Sequence, residues 1–387
     1  MVTAPENRSP SKGAMRTTCY ITRFIVNLGH DGARSNSRSQ IALLFAVQAD
    51  LCFFWEITKE VDRLLNDWIE HARGDLLGLN RPESIYAYKK GARPSVEPSV
   101  LAWLGLLASG DERSAAADRA GALKAANWME AIQHADGSLP VAPEIQNPAW
   151  TTSHATLLWS ALSGFDVARH RAANRLLRTE GRILPRNDPA AALFGHDVTA
   201  VGWPWVEGTH SWVEPTAMAI LALCREGLAS HSRVDAGIHL LLDRSLKRGG
   251  WNFGNSVVFG RELRPQPGPS GLALLALAAR RADSPECRRG IDYLRATLGE
   301  IRTCVSLSWG VLGLRAWDAC PREAESWLAE SYQRYGVRRD QAVGLGLLLL
   351  AAAEPSLELL FPRNETMTRD RDRLHGGAPA QPERTTS

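Results

Sequence analysis

The sequence predicts an all-α protein of repeated helical hairpins closed into an α/α toroid, and three features lead there. A short residue frame returns several times along the chain. Each return opens a helix that is apolar on nearly every side. Each such helix is followed by a polar turn and an amphipathic helix. A helix apolar all round is buried all round, whereas one with a single apolar stripe lies at a surface. Alternation of the two types describes an inner ring wrapped by an outer ring. In a straight solenoid the inner helices would face solvent along a concave side, and these carry too little charge for that.

The frame reads Val96-Glu97-Pro98-Ser99-Val100-Leu101 and again Val213-Glu214-Pro215-Thr216-Ala217-Met218, and it returns at Pro269-Ser270-Gly271-Leu272. Weaker copies start near Thr152-Ser153-His154, Leu307-Ser308-Trp309 and Gln341-Ala342-Val343. From Pro98 the starts fall roughly 54, 63 and 54 residues apart and then shorten, which suits a helical-hairpin repeat. Buried helices are expected over Ala217 to Leu223 and Val343 to Ala353. Outer helices are expected over Ala120 to Gln133, Val234 to Leu246, Pro285 to Leu298 and Pro321 to Tyr332. A first amphipathic helix begins near Ile57 and closes at Leu76 to Leu79. Glycine-rich turns end the outer helices, at Gln133-His134-Ala135-Asp136-Gly137-Ser138 and Arg248-Gly249-Gly250-Trp251. Glycine just past a helix end supplies the left-handed conformation that closes it. Residues 1–40 and the tail 363–387 read as disordered, which leaves 41–362 as the toroid, with the clearest repeats over 80–355.

Composition narrows the function. The net charge of +3 is spread along the chain rather than gathered into a stripe, which argues against nucleic-acid binding. Six widely spaced cysteines without a CxxC pair, and no apolar leader behind the polar N-terminus, read as reduced thiols in a cytoplasmic protein. The stretch Ile41 to Trp55, broken by Gln48 and Asp50, is too short to span a bilayer. Peripheral membrane contact stays open. Thirteen tryptophans are the outlier, pointing to buried aromatic anchors or an aromatic-lined cavity. Nucleotide-binding, HExxH and GxSxG motifs are absent, and no organic cofactor is expected.

The turns and helix starts together resemble the squalene–hopene cyclases and protein prenyltransferase β-subunits. Gln133, Asp136, Gly137 and Ser138 match the Gln-x-x-Asp-Gly-Ser-Trp signature of the cyclases, with Leu139 in place of the usual Trp. Gly250 and Trp251 keep a second copy that lacks the Gln. The resemblance implies an α/α toroid that binds a polyisoprenoid or another apolar chain in a central cavity, with cyclisation initiated by protonation. The acid motif of the cyclases, Asp-x-Asp-Asp-Thr-Ala, falls on Trp212 to Ala217. Glu214 answers to its central acid, while Trp212 and Pro215 replace the flanking ones. That departure keeps a non-catalytic binding or scaffold relative as the alternative.

Glu214 therefore has two readings. Pro215 suits the first position of a helix and pushes Glu214 to the cap, where the helix dipole favours an ionised carboxylate. A cyclase needs the reverse, a protonated acid pointing into the cavity. His210, and less directly His196 or His154, could polarise it. Trp203, Trp205 and Trp212 could line an isoprenoid channel and stabilise a cation through their π faces, or they could plug the barrel end. Glu97 shares the frame of Glu214, and the two could also act as the paired carboxylates of a glycosidase.

A transferase of the prenyltransferase type would hold zinc through Asp318, Cys320 and His375. Asp318 and Cys320 follow the end of a buried helix, away from the helix mouths, and His375 lies in the tail. No metal is expected. Elemental analysis of the purified protein should find no stoichiometric zinc; one zinc per chain, lost on Cys320→Ser, would promote the transferase reading.

Overall fold

The computed structural model describes residues 68–362, apart from 146, 148, 149, 336–340 and 355. The expected disordered segments, the stretch Ile41 to Trp55, the start of the first helix and His375 lie outside the described residues.

Among the described residues six helices form the inner ring: α2 (Val96–Ser109), α4 (Thr151–Ala161), α6 (Val213–Arg225), α8 (Pro267–Ala279), α10 (Cys304–Arg315) and α12 (Ala342–Ala352). Each packs on the next, and α12 packs back on α2. Six helices lie outside them: α1 (68–78), α3 (Ala115–Ala131), α5 (Asp166–Arg178), α7 (Ser232–Asp243), α9 (Pro285–Thr297) and α11 (Ala324–Tyr335). The expected toroid is therefore observed. The helix α5 was not foreseen, because its apolar stripe is only Ala168, Ala172, Ala173 and Leu176 among many arginines.

The ring closes where backbones touch. A Cβ on Gly105 would fall 2.3 Å from the Gly346 carbonyl oxygen, and one on Gly346 would fall 2.5 Å from that of Leu101. Helices α8 and α10 meet in the same way through Gly271 and Gly313. Closure of the outer ring joins residues 257 positions apart, where the Tyr332 hydroxyl donates to Asp75 at 2.7 Å. Arg73 of α1 also ties that helix to Asp118 of α3 at 2.6 Å.

One hydrogen bond explains the repeating frame. A hydroxyl in the first turn of the inner helix accepts from the backbone N–H of an apolar residue in the loop before it. The pairs are Tyr86 to Ser99 (2.8 Å), Leu139 to Thr152 (3.0 Å), Trp203 to Thr216 (2.9 Å) and Trp251 to Ser270 (2.8 Å). All four donors belong to fully or nearly fully buried residues. Buried N–H groups without a partner are costly, so the Ser or Thr fixes how each loop enters its helix.

The two ends of the ring differ. Loops 79–95, 132–150, 179–212 and 244–266 lead into the N-termini of inner helices. One of them carries a two-stranded ribbon, β1 (Val257–Val258) with β2 (Arg261–Glu262). Much shorter turns, 110–114, 162–165, 226–231 and 280–284, join the opposite ends. That end is covered by α13 (Ser356–Leu360), which packs on α2, α4 and α6. Arg225, at the end of α6, donates to the carbonyls of Glu358 and Phe361. No helix among the described residues is long and apolar enough to cross a membrane.

The seam yields a paired test. Gly346→Ala should destabilise the protein by about 2 kcal/mol or more, because the α2 backbone must move. Gly74→Ala, in exposed helix with open space around it, should stabilise by about 0.5–1 kcal/mol. Urea unfolding of the two variants checks the opposite signs.

Candidate functional site

The first turns of the inner helices converge on one open cavity of about 450 Å³ on the long-loop side. Its lining falls into two layers, because positions i and i+4 share a helix face. The second residues of four helices, Glu97, Glu214, Val305 and Val343, form the upper layer, and the sixth residues, Leu101, Met218, Trp309 and Leu347, lie one turn below. Leu272 of α8 joins the lower layer, and His154 enters from α4. Trp150 and Trp205 come from the loops and pack edge to face, with centroids 5.1 Å apart.

The two carboxylates are held differently. Glu97 accepts hydrogen bonds from the Tyr88 hydroxyl and from the Trp150 indole at 3.1 Å. The His154 Nε2 lies 3.8 Å from it, and Nδ1 lies 3.3 Å from the Trp150 carbonyl oxygen. Burial holds the imidazole pKa below its ordinary value against the pull of Glu97, so His154 is neutral at pH 7 and the contact is not an ion pair. Glu214 has neither a hydrogen bond nor an ion pair to any described residue. Burial, helped by the charge of Glu97, pushes its pKa up to about 7.

This corrects the expectation for Glu214 in two respects. The residue at the cap is Trp212, with extended φ −129° and ψ 158°, and Glu214 is the second residue of the helix. Pro215 then stands where a first-turn N–H needs no partner, so its missing donor costs nothing. The helix dipole favours ionisation, but desolvation and a like charge outweigh it.

The remaining candidates spread apart. His210 is exposed, with Nδ1 3.0 Å from the Arg182 carbonyl oxygen, and His196 lies against Ser256; neither lines the cavity. Trp212 is half-buried and packs at Gly254, also away from the lining. Trp203 is buried, donates its indole N–H to the Leu176 carbonyl at 2.9 Å and lies under Arg233, 3.6 Å from the ring centroid. It borders a neighbouring groove of about 380 Å³ between α4, α5 and α6. Glu97, His154, Glu214 and Trp205 share the cavity. Sequence reasoning missed Trp150 and the sixth-position residues; counting four residues on from each of Glu97 and Glu214 would have found Leu101 and Met218. Asp318 and Cys320 follow the far end of α10, and no group of three metal-binding side chains exists among the described residues.

No protein-family model matches the sequence, and no curated protein does. Solved structures match by fold. A protein from Actinoplanes is 15% identical, with a TM-score of 0.51, over 76% of this chain and 99% of its own. A variant of the type II terpene cyclase MstE from Scytonema, bound to geranylgeranyl dihydroxybenzoate, is 14% identical with a TM-score of 0.50 over 77% and 99%. A glycoside hydrolase family 76 mannosidase from Bacteroides thetaiotaomicron is 10% identical with a TM-score of 0.50 over 76% and 98%. At such identities the likeness establishes a shared α/α toroid fold and nothing of the chemistry.

The raised pKa of Glu214 sets a sign for stability. Below about pH 4.5 the carboxyl is protonated in both folded and unfolded chains. Between there and about 7 only the unfolded chain ionises, so the folded state loses stability as pH rises. Glu214→Gln should therefore match wild type at pH 4 and exceed it at pH 8 by on the order of 2 kcal/mol after solvent screening. Urea unfolding at both pH values measures the difference, and Glu97→Gln should reduce it.

Proposed function

We propose that the protein is a terpenoid-cyclase-like enzyme that takes an apolar isoprenoid chain into the toroid and uses Glu214 as its proton donor. The observation that carries this is an unpartnered carboxyl, raised to about 7, at the head of a cavity walled mainly by Leu, Val, Met and Trp, with Glu97, His154 and Pro215 beside it. A carboxyl of that strength is half protonated at neutral pH, yet it is a weak acid. It suits an epoxide or allylic oxygen better than an unactivated alkene. Glu214 gives its proton to that oxygen, the carbon–oxygen bond breaks, and the positive carbon is attacked by the next double bond of the chain. Loss of a proton from the final cation ends the sequence, and solvent at the mouth reprotonates Glu214. The tryptophans at the cavity are groups that can stabilise a passing cation, and the Glu97 carboxyl stands beside them. A non-catalytic toroid that only binds the chain would keep the lining without needing the acid.

A second reading has its own support. Two carboxylates in one cavity, one of them raised, is also the arrangement by which glycosidases separate acid from base or nucleophile. The lower layer speaks against a sugar there, since four aliphatic or thioether side chains and one indole offer few hydrogen-bond partners for hydroxyls.

Turnover of polyprenyl epoxides and prenylated phenols should fall at least about a hundredfold in Glu214→Gln, while binding of the same compounds persists. In wild type, activity should decline as pH rises through about 7, as the acid loses its proton. Exposed Glu144→Gln is the control. Product analysis by chromatography checks all three; full activity in Glu214→Gln removes the acid role, and hydrolysis of mannosides instead would establish the second reading.

A further inference from the structure

The lower layer of the cavity sets a limit on what can enter. Leu101, Met218, Leu272, Trp309 and Leu347 are each the sixth residue of their inner helices, so they stand at one level. That level is one turn, about 6 Å of rise, below Glu97 and Glu214. Beneath it neighbouring inner helices pack closely. The backbones of α2 and α12 meet at Gly105 and Gly346, and those of α8 and α10 meet at Gly271 and Gly313. The far end is covered by α13, held through Arg225.

Size gives the second constraint. The roughly 450 Å³ includes open space at the mouth. At about 30 Å³ for each water-sized group it corresponds to about 15 heavy atoms. A triterpene chain needs roughly twice that. We infer that the ligand is a single apolar chain of about 10 to 15 carbons with a polar head at the carboxylates, and that the sixth-position residues, Trp309 foremost, form the floor that sets its length. Trp309 is the largest of the five and offers the most floor that one substitution can remove. The inference rests on the apolar-chain reading of the cavity and deepens it.

The test uses the full chain and a series of n-alkanols from octanol to octadecanol, together with geraniol, farnesol and geranylgeraniol, measured by titration calorimetry. Each added methylene should tighten binding roughly fourfold while it gains buried surface. The gain should stop at the chain length that reaches the floor, at about 12 to 15 carbons, and geranylgeraniol should bind no better than farnesol. Trp309→Ala should move the break upward by about three carbons or more, and Leu347→Ala, a milder change that guards against a misfolded first variant, should move it in the same direction. Met218→Trp should move it down. An uninterrupted gain through octadecanol, or a break that none of the three variants shifts, overturns the floor. Failure of every alkanol to bind overturns the apolar-chain reading itself, and the floor with it.

Discussion

The interaction on which the architecture depends is a hydrogen bond from a buried loop N–H to a hydroxyl at the head of an inner helix. It is repeated at Ser99, Thr152, Thr216 and Ser270. Each bond is worth only about 1 kcal/mol net, but removing its acceptor strands a buried donor at higher cost. The hydroxyl also sets the phase of the helix, since it fixes which residues of the first turn point inward. Glu97 lies two positions before Ser99 and Glu214 two before Thr216, so the same device that registers the loop also aims the carboxylate. Architecture and site thus share one local cause.

Electrostatics at the mouth are a contest between two fields. Inner helices bring positive N-terminal ends to the cavity, which favours anions there. Burial and the neighbouring carboxylate oppose ionisation of Glu214, and they prevail. Glu97 accepts bonds from Tyr88 and Trp150, whereas Glu214 has none from a described residue. Two acids in equivalent helix positions acquire different characters from their loops alone. The loop residues are therefore as much a part of the site as the helix residues.

Much of the fold was legible in the sequence because it rests on periodicity. The frame at Val96 and Val213 and the all-apolar run from Val343 announced inner helices, and their pairing with polar turns announced the outer ring. The helix α5 escaped notice because alanine makes a faint stripe beside four arginines. The site was half legible. Glu97, His154, Glu214 and Trp205 were named from motif and frame, and they do share a cavity. His210, Trp203 and Trp212 were drawn in by proximity along the chain, yet loop 179–212 folds so that each faces elsewhere. Neighbours in sequence diverge in a loop, while positions a turn apart converge in a helix. That is why Met218 belongs to the cavity and His210 does not.

The seam between α2 and α12 has a consequence for how the chain is made. In an open solenoid each repeat finds its packing partner as soon as the following one is synthesised. Here α2 emerges early, and its partner α12 lies more than two hundred residues downstream. Throughout that interval the bare groove at Gly105 and the apolar residues beside it have nothing to cover them, a state in which nascent chains aggregate. The ring is complete only when its last inner helix leaves the ribosome, so α2 waits on α12, and any truncation short of α12 leaves α2 without one of its two neighbours.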